Sequence, residues 1–311
     1  MVDNSKETKG DNILTGKIIA VFGRNIKLYY KGKEYDAIVR GRLLKEYLSS
    51  SPVAVGDNVE FSMNADGQSI IENVLSRKQY LAKPDLLVKN KIQIIASNLD
   101  QLVIVSSVQE PRFKPGLIDR FLVSAECEKL EAIIVINKID LASRDEFNVY
   151  VDAWNSLGYQ TIFTSAKTGH GLNELKLLLK TKSSVLAGHS GVGKTSLINA
   201  VQPSLNLNTS EISISTGRGV HTTASVVMFP LDFGGWIADT PGIKVFGLTG
   251  INRTNLYQNF PEMAKLEGEC KFNNCLHISE PGCAVKKAVK SGDICEFRYL
   301  SYKRIFEKLN N

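Results

Sequence analysis

The 311-residue chain has no apolar run approaching the ~18–20 residues that a membrane-crossing helix needs, so no membrane partner is expected. Its opening residues, MVDNSKETKGDN, mix acids and bases around no apolar core. They read as a tail (1–11), neither a secretion signal nor an Arg-rich transit peptide. Cysteine is scarce and odd in number: five, with three crowded into 270–283. Without a signal peptide that pattern favours metal binding over disulfides, and the cytoplasm is the expected compartment. A strong excess of one charge is also missing. The balance of 38 basic to 32 acidic residues permits a polyanionic partner without demanding one. What is present, 43% hydrophobic and 23% charged residues, is the composition of a folded soluble protein. The length is large for one core and predicts two or three domains.

Residues 12–80 read as a small β domain. Candidate strands at 15–22, 25–30, 33–40, 58–64 and 69–75 are cut by turn residues at 23–24, 31–32, 56–57 and 66–67. Short strands with one longer link at 43–54 predict a closed barrel of the OB type, with an SH3-like barrel as the alternative. Such barrels often bind RNA through a basic, aromatic face, for which Lys27, Tyr29, Tyr30, Lys31, Arg40 and Arg42 are candidates. Interspersed acids, and the option that Tyr29 or Tyr30 is core, leave an ordinary solvated surface open.

From residue 91 the pattern changes. Apolar segments at 92–95, 101–106, 132–136 and 160–163 alternate with helical ones at 118–128 and 147–156, as in a parallel sheet covered by helices. The buried-strand run 132–136 ends in Asn137-Lys138-Ile139-Asp140, an N-K-x-D motif. A carboxylate at Asp140 can accept two hydrogen bonds from guanine N1–H and the N2 amino group. Adenine offers no such donor pair, and an unpaired buried carboxylate is costly. Lys138 can lie along the base and Asn137 can tie neighbouring loops together; a surface Asn-Lys pair is the bland alternative. Ser165-Ala166-Lys167 follows the next strand and suits a backbone N–H contact to guanine O6.

Gly188-His189-Ser190-Gly191-Val192-Gly193-Lys194-Thr195, with Ser196 behind it, is G-x-x-x-x-G-K-[ST] between a strand-like and a helix-like stretch. Glycines let backbone N–H groups converge on phosphate oxygens, and the helix start adds a positive end. Lys194 supplies a cation for the β- and γ-phosphates, and the Thr195 hydroxyl can ligate magnesium. Further on, Asp239-Thr240-Pro241-Gly242 places Asp239 to organise the metal through water and the Gly242 N–H to meet the γ-phosphate. Thr223, preferred over Thr222, completes a magnesium set of Thr195, Thr223 and Asp239. Ile243 stands where a water-orienting Gln would be, so His221 is the internal candidate for that catalytic role, and slow intrinsic hydrolysis stimulated by a partner is expected. Base recognition precedes the phosphate loop, so the GTPase domain (81–245) reads as circularly permuted. Its switch then feeds directly into the C-terminal region.

In residues 246–311, Cys270-x4-Cys275-x-His277-x5-Cys283 supplies four soft ligands, a closed structural set for one zinc ion. Two amphipathic helices come after it. Ala284, Val285, Ala288 and Val289 form one apolar face, and Tyr302, Ile305, Phe306 and Leu309 the other; Lys286, Lys287 and Lys290 are candidate phosphate contacts. Cys127 and Cys295 read as core or partly buried thiols.

With its motifs in this order, the chain resembles the circularly permuted GTPases of the RsgA (YjeQ) family, bacterial GTPases dependent on the small ribosomal subunit. The resemblance covers nearly the whole chain. It implies a multi-domain fold: an N-terminal OB-like β-barrel, a central α/β P-loop GTPase domain, circularly permuted, and a C-terminal helical zinc-binding domain. It also implies a late assembly factor of the 30S subunit, contacting it and its 16S rRNA through the barrel and zinc domain, stimulated by it and released on hydrolysis. Family roles carry over to Asn137, Lys138, Asp140, residues 188–196, His221, Thr223, Asp239, Gly242, Cys270, Cys275, His277 and Cys283. Val220 departs from the pattern, standing where many members have a polar residue. The expected cofactors are one structural zinc and magnesium with GTP, and the expected state is a monomer. Two other readings compete: a metabolic P-loop NTPase, disfavoured by Asp140, and a zinc/OB RNA-binding protein whose nucleotide site is only regulatory, disfavoured by the intact Lys194-Thr195 and Asp239.

Overall fold

Strand-forming runs bounded by tight turns build the N-terminal region. The computed structural model describes residues 13–41, 43, 52–64, 67–84, 92–207, 226–239, 248 and 250–309. Strands β1 (Leu14–Phe22), β2 (Asn25–Tyr30), β3 (Lys33–Val39), β4 (Asn58–Met63) and β5 (Ser69–Val74) succeed one another. They pair in the order β1-β2-β3-β5-β4, and β4 returns to β1, matching Leu14 with Phe61 and Gly16 with Val59. That closes the expected five-strand barrel. Ile18, Leu28, Val59, Phe61 and Ile71 fill it, each side chain contributing roughly 1.5–3 kcal/mol on burial.

The candidate RNA-binding aromatics of the barrel are occupied otherwise. Tyr29 meets Trp236 edge-on at 5.0 Å, and Tyr30 meets Phe61 at 5.3 Å. Lys27 pairs with Asp36, and Arg40 with Glu72. Arg42 lies outside the described residues. The two rings face opposite sides of β2: Tyr30 packs on the barrel core, while Tyr29 points outward and serves a neighbour, because burying its ring against Trp236 removes more apolar surface from water than leaving it exposed.

A second difference concerns the apolar segment at 92–95. It belongs to β7 (Ile92–Ser97), which pairs antiparallel with β6 (Tyr80–Pro84) in a separate two-stranded hairpin, not in the parallel sheet. This hairpin fastens the barrel to the rest of the chain. Asp57, wholly buried, accepts from Arg77 Nε and Ser97 Oγ at one oxygen (2.7 and 2.5 Å) and from Arg77 Nη2 and the Ala54 N–H at the other (both 2.7 Å). A buried carboxylate with both oxygens satisfied is tolerated and locks its donors in place.

The central sheet runs β10 (Gln160–Phe163), β9 (Glu131–Asn137), β8 (Gln101–Ser107), β11 (Ser183–Ala187), β13 (Trp236–Asp239) and β12 (Val227–Pro230). All neighbours are parallel except β12, an antiparallel hairpin partner of β13. The middle residues of β8, β9 and β11 are apolar because both faces are covered. Leu102, Ile104, Ile134 and Ile136 face α1 (Pro115–Cys127) and α2 (Asn148–Ser156). Val103, Val105, Ile133 and Val135 face α3 (Leu172–Leu179) and α4 (Lys194–Val201). Beyond β12 the sheet continues into the barrel, since β1 pairs antiparallel with β12 at Ala20 and Val227.

The C-terminal part packs α5 (Pro261–Ala264), α6 (Ala284–Ser291) and α7 (Glu296–Lys308) around Leu256, Phe260, Met263, Val285, Tyr302 and Ile305. Helix α6 stops at Gly292, whose φ of 85° is the left-handed cap geometry that glycine adopts without penalty. Val123 of α1 joins this core. Among the described residues no helix is long and apolar enough to cross a membrane.

Candidate functional site

Two strand ends and a helix start converge at the C-terminal edge of the central sheet, where open α/β sheets bind ligands. Strand β11 leads into the loop 188–193 and then α4. Gly188 has φ 147°, and a Cβ there would lie 2.1 Å from the Val105 carbonyl oxygen. Gly193 has φ 94°, and its Cβ would lie 2.4 Å from Asn137 Nδ2. Neither position accepts a side chain, so the loop lies directly on β8 and on the end of β9. Lys194 Nζ folds back into the loop, donating to the carbonyls of Gly188 (2.9 Å) and His189 (3.1 Å). No side chain caps α4, which leaves its first-turn N–H groups, Thr195 and Ser196 included, aimed at the loop mouth. His189 Nδ1 lies 2.8 Å from the Ser190 carbonyl oxygen, and Val192 is buried beneath the loop.

The end of β9 carries the base-reading candidates. Asn137, 1% exposed, donates from Nδ2 to the Val192 carbonyl (2.9 Å) and accepts the Thr164 hydroxyl at Oδ1 (3.1 Å). Lys138 takes a left-handed conformation (φ 64°), turning the chain so that Ile139, Asp140 and Leu141 form a single 3-10 turn. Its Nζ donates to the Glu110 carbonyl. The Asp140 carboxylate accepts the Ser165 hydroxyl at Oδ1 (2.6 Å), and Lys167 Nζ stands 4.0 Å from Oδ2. The Ser165 hydrogen bond, helped by Lys167 and Lys138, holds the Asp140 carboxyl below the usual carboxylate range. It is therefore ionised at neutral pH, an acceptor for a base edge with two donors. Ala166 sits between Ser165 and Lys167 in the same loop.

Asp239 ends β13 in register with Leu186 of β11, two residues before Gly188. That places its backbone beside the phosphate loop. His221, Thr223 and Gly242 lie outside the described residues, as do Thr222 and Ile243. Loop 107–114 stands next to the nucleotide loops and carries none of the sequence motifs. Between it, α1 and the phosphate loop is a cleft lined by Ser107, Arg112, Lys114, Phe121, His189 and Val192.

A second cluster gathers Cys270, Cys275, His277 and Cys283, whose ligand atoms all lie within 4.8 Å of one another. His277 Nδ1 faces Cys283 Sγ at 3.4 Å and Cys270 Sγ at 3.6 Å. The residues fit a metal. Three thiols and one imidazole nitrogen point at a common centre, and the Ala284 and Lys286 N–H groups approach two of the sulfurs (3.3 and 3.4 Å) as they would thiolates. Burial pushes the Cys275 thiol up to about 12, so thiolates here need a cation to offset it. Supporting residues hold the loop open around that centre. Glu280 accepts three backbone N–H groups, from Leu276 (2.9 Å), Ile278 (2.9 Å) and Ser279 (3.0 Å). From α7, Tyr302 donates to the Leu276 carbonyl (2.7 Å) and Tyr299 to the His277 carbonyl (2.8 Å).

Three features escape a reading of the sequence: loop 107–114, the Glu280 clasp, and a buried charge cluster of Arg298, Asp119 and Glu262. The last had a signal. Asp119 interrupts the apolar run Leu117-Ile118 and Phe121-Leu122, and Arg298 shares a helix face with Tyr302 and Ile305. A charge on a buried face calls for a buried partner.

A family model described as RsgA GTPase matches residues 74–249. The chain is 38% identical over 283 residues to the small ribosomal subunit biogenesis GTPase RsgA of Christiangramia forsetii, spanning 89% of this chain and 90% of that relative. Among solved structures it is similar to YjeQ from Thermotoga maritima, with a TM-score of 0.77 and 35% identity, covering 96% of this chain and 98% of the other. It is similar also to YloQ, described as a circularly permuted GTPase, with a TM-score of 0.73 and 28% identity over 99% and 97% of the two chains.

Proposed function

Since the chain belongs to the RsgA GTPase family, we propose that it hydrolyses GTP to GDP and phosphate as a late maturation factor of the small ribosomal subunit, stimulated by the subunit and released on hydrolysis. The observation that carries the GTP reading is Asp140: an ionised carboxylate set by Ser165 at the end of β9, in a loop that Asn137 bonds to the phosphate loop. Asp140 and the Ser165–Lys167 loop select guanine, while Asn137 holds the two loops in register.

Lys194 and the first-turn N–H groups of α4 receive the phosphates. Thr195, Thr223 and Asp239 are proposed to hold magnesium with the nucleotide, which neutralises charge building on the transferred phosphate. His221 is the proposed water-orienter, and Gly242 the N–H donor to the γ-phosphate. The Cys270, Cys275, His277 and Cys283 set is proposed to bind zinc, since three thiols and an imidazole suit that ion far better than oxygen-seeking magnesium or calcium. Four protein ligands leave no position for a reacting water, so its role is structural. The proposed partner surface is 16S rRNA, reached through the barrel and the C-terminal module, by a monomer in the cytoplasm.

One experiment tests the reading. GTP and ATP hydrolysis are measured with and without purified 30S subunits. GTP preference with stimulation by 30S supports it; ATP preference, or indifference to 30S, overturns it.

A further inference from the structure

The metal cluster and the nucleotide loops lie at opposite ends of one chain of contacts. Tyr299 and Tyr302 hang the backbone of His277 and Leu276 from α7. On the same helix, one turn before Tyr302, Arg298 is only 1% exposed. Its Nη1 donates to Asp119 Oδ1 (2.7 Å), and its Nε and Nη2 donate to Glu262 (2.7 and 3.1 Å). Asp119 is wholly buried on α1 and also accepts the Trp154 indole N–H of α2 (2.9 Å). Helix α1 begins where loop 107–114 ends, and that loop rests on both nucleotide elements. Glu110 gives its carbonyl to Lys138. Pro111 Cδ lies 3.6 Å from where a Cβ on Gly191 would stand. The Ser107 hydroxyl ties the loop to itself through the Pro111 carbonyl (2.8 Å).

We propose that Arg298 is a positioning residue that couples the two sites, so that metal held by the cysteine–histidine cluster and nucleotide held by the phosphate loop strengthen each other's binding. The inference rests on reading those two clusters as metal and nucleotide sites. Its physical basis is the fork geometry of the guanidinium, which accepts one arrangement of two carboxylates and tolerates little sliding. An apolar α1–α7 contact would stabilise as well, since a buried ion pair contributes little net stability, but it would not fix the relative position of the two helices so narrowly. Ordering of the cluster loop sets α7, Arg298 transmits that setting to Asp119, and α1 carries loop 107–114 toward or away from Gly191 and Lys138. Linkage makes the effect reciprocal: whatever factor nucleotide adds to metal affinity, metal adds to nucleotide affinity.

The test uses the full chain loaded with Zn²⁺. Zinc affinity is measured by equilibrium competition with a chromogenic chelator with and without GDP, and GDP affinity is measured with and without zinc. GDP is expected to raise zinc affinity about fivefold or more, and zinc loss to weaken GDP binding by the same factor. In Arg298→Lys, which keeps the charge and loses the fork, and in Asp119→Asn, both factors should fall toward one while each protein still binds one zinc and one nucleotide. A merely structural role for Arg298 would change melting temperature and leave those factors intact; that result, or no coupling in the native protein, overturns the proposal. If both variants fail to fold, Tyr302→Phe leaves the charge cluster whole and frees only the Leu276 carbonyl. Retention of full coupling there overturns it too. A native chain that binds no zinc or no GDP is recognised from stoichiometry alone, and sinks the site readings themselves.

Discussion

Asn137 Nδ2 reaches across from the candidate base-reading loop to the Val192 carbonyl of the glycine-rich loop 188–193, 2.9 Å away. With the Thr164 hydroxyl on its other end, this buried side chain is bonded at both ends. Two loops 55 positions apart in sequence are thereby held as one surface. Replacing Asn137 by Ala strands a carbonyl and a hydroxyl, at roughly 1–3 kcal/mol for each unsatisfied group. The expected result is at least a tenfold loss of affinity for GDP and GTP alike in a fluorescent-nucleotide titration, because loop register serves both. Unchanged binding would remove Asn137 from this role.

Asp140→Asn tests base selection. The amide puts a donor where the guanine N2 amino group also needs an acceptor. GDP binding should fall at least about 100-fold, and xanthosine diphosphate, which carries an oxygen at that position, should become the better ligand. Equal loss for both bases would mean that Asp140 only supports its loop through Ser165.

Glu280→Ala removes the acceptor of three backbone N–H groups inside the metal loop. Those same bonds hold the Glu280 carboxyl below its ordinary range, although partial burial opposes them. A depressed carboxyl stabilises the loop above about pH 4.5 and ceases to do so as the pH falls through its lowered value. At pH 7 the variant should release bound metal several-fold faster than the native chain, with GTP hydrolysis per bound nucleotide little altered. Release at the native rate would show that the cysteines organise the loop unaided.

Tyr29 and Trp236 form the aromatic contact between barrel and central sheet, with Lys17 Nζ 5.6 Å above the indole. Burial lowers the Lys17 pKa against the pull of Asp100 and Asp57. A double-mutant cycle of Tyr29→Ala and Trp236→Ala should return a coupling of roughly 0.5–1.5 kcal/mol in thermal unfolding. A value near zero would mean that the hairpin β6–β7 and the β1–β12 pairing hold the barrel without help from this ring pair.

The candidate nucleotide and metal residues were legible in the sequence because the proposed chemistry uses contiguous motifs. Gly188 through Thr195 must be neighbours in the chain for their N–H groups to surround a phosphate, and Cys270 through Cys283 form one loop. Barrel closure was legible because strand and turn residues alternate over short distances. What sequence could not supply were contacts between distant segments. Arg298 and Asp119 stand 179 positions apart, and each shows only as a charge on an apolar face. The period of two puts Tyr29 on the outside of the barrel, yet outside is solvent or another domain, and only Trp236 decides which. Likewise an apolar run such as 92–95 suits a parallel strand and a hairpin strand equally, and its pairing with Tyr80–Pro84 settles the matter.

The seam at Ala20 and Val227 also fixes an order of manufacture. A ribosome making this chain completes β1 through β5 and then β8 through β10 before β11 exists, and β12 and β13 come later still. When β11 docks beside β8 its far edge is bare, and so is the edge of β1 that β12 will take. The β12–β13 hairpin is the last piece of the eleven-stranded sheet, and it slides into a slot with hydrogen-bonding partners on both sides. Until it arrives, the nascent chain presents two open strand edges, the condition in which wrong pairing and aggregation are easiest.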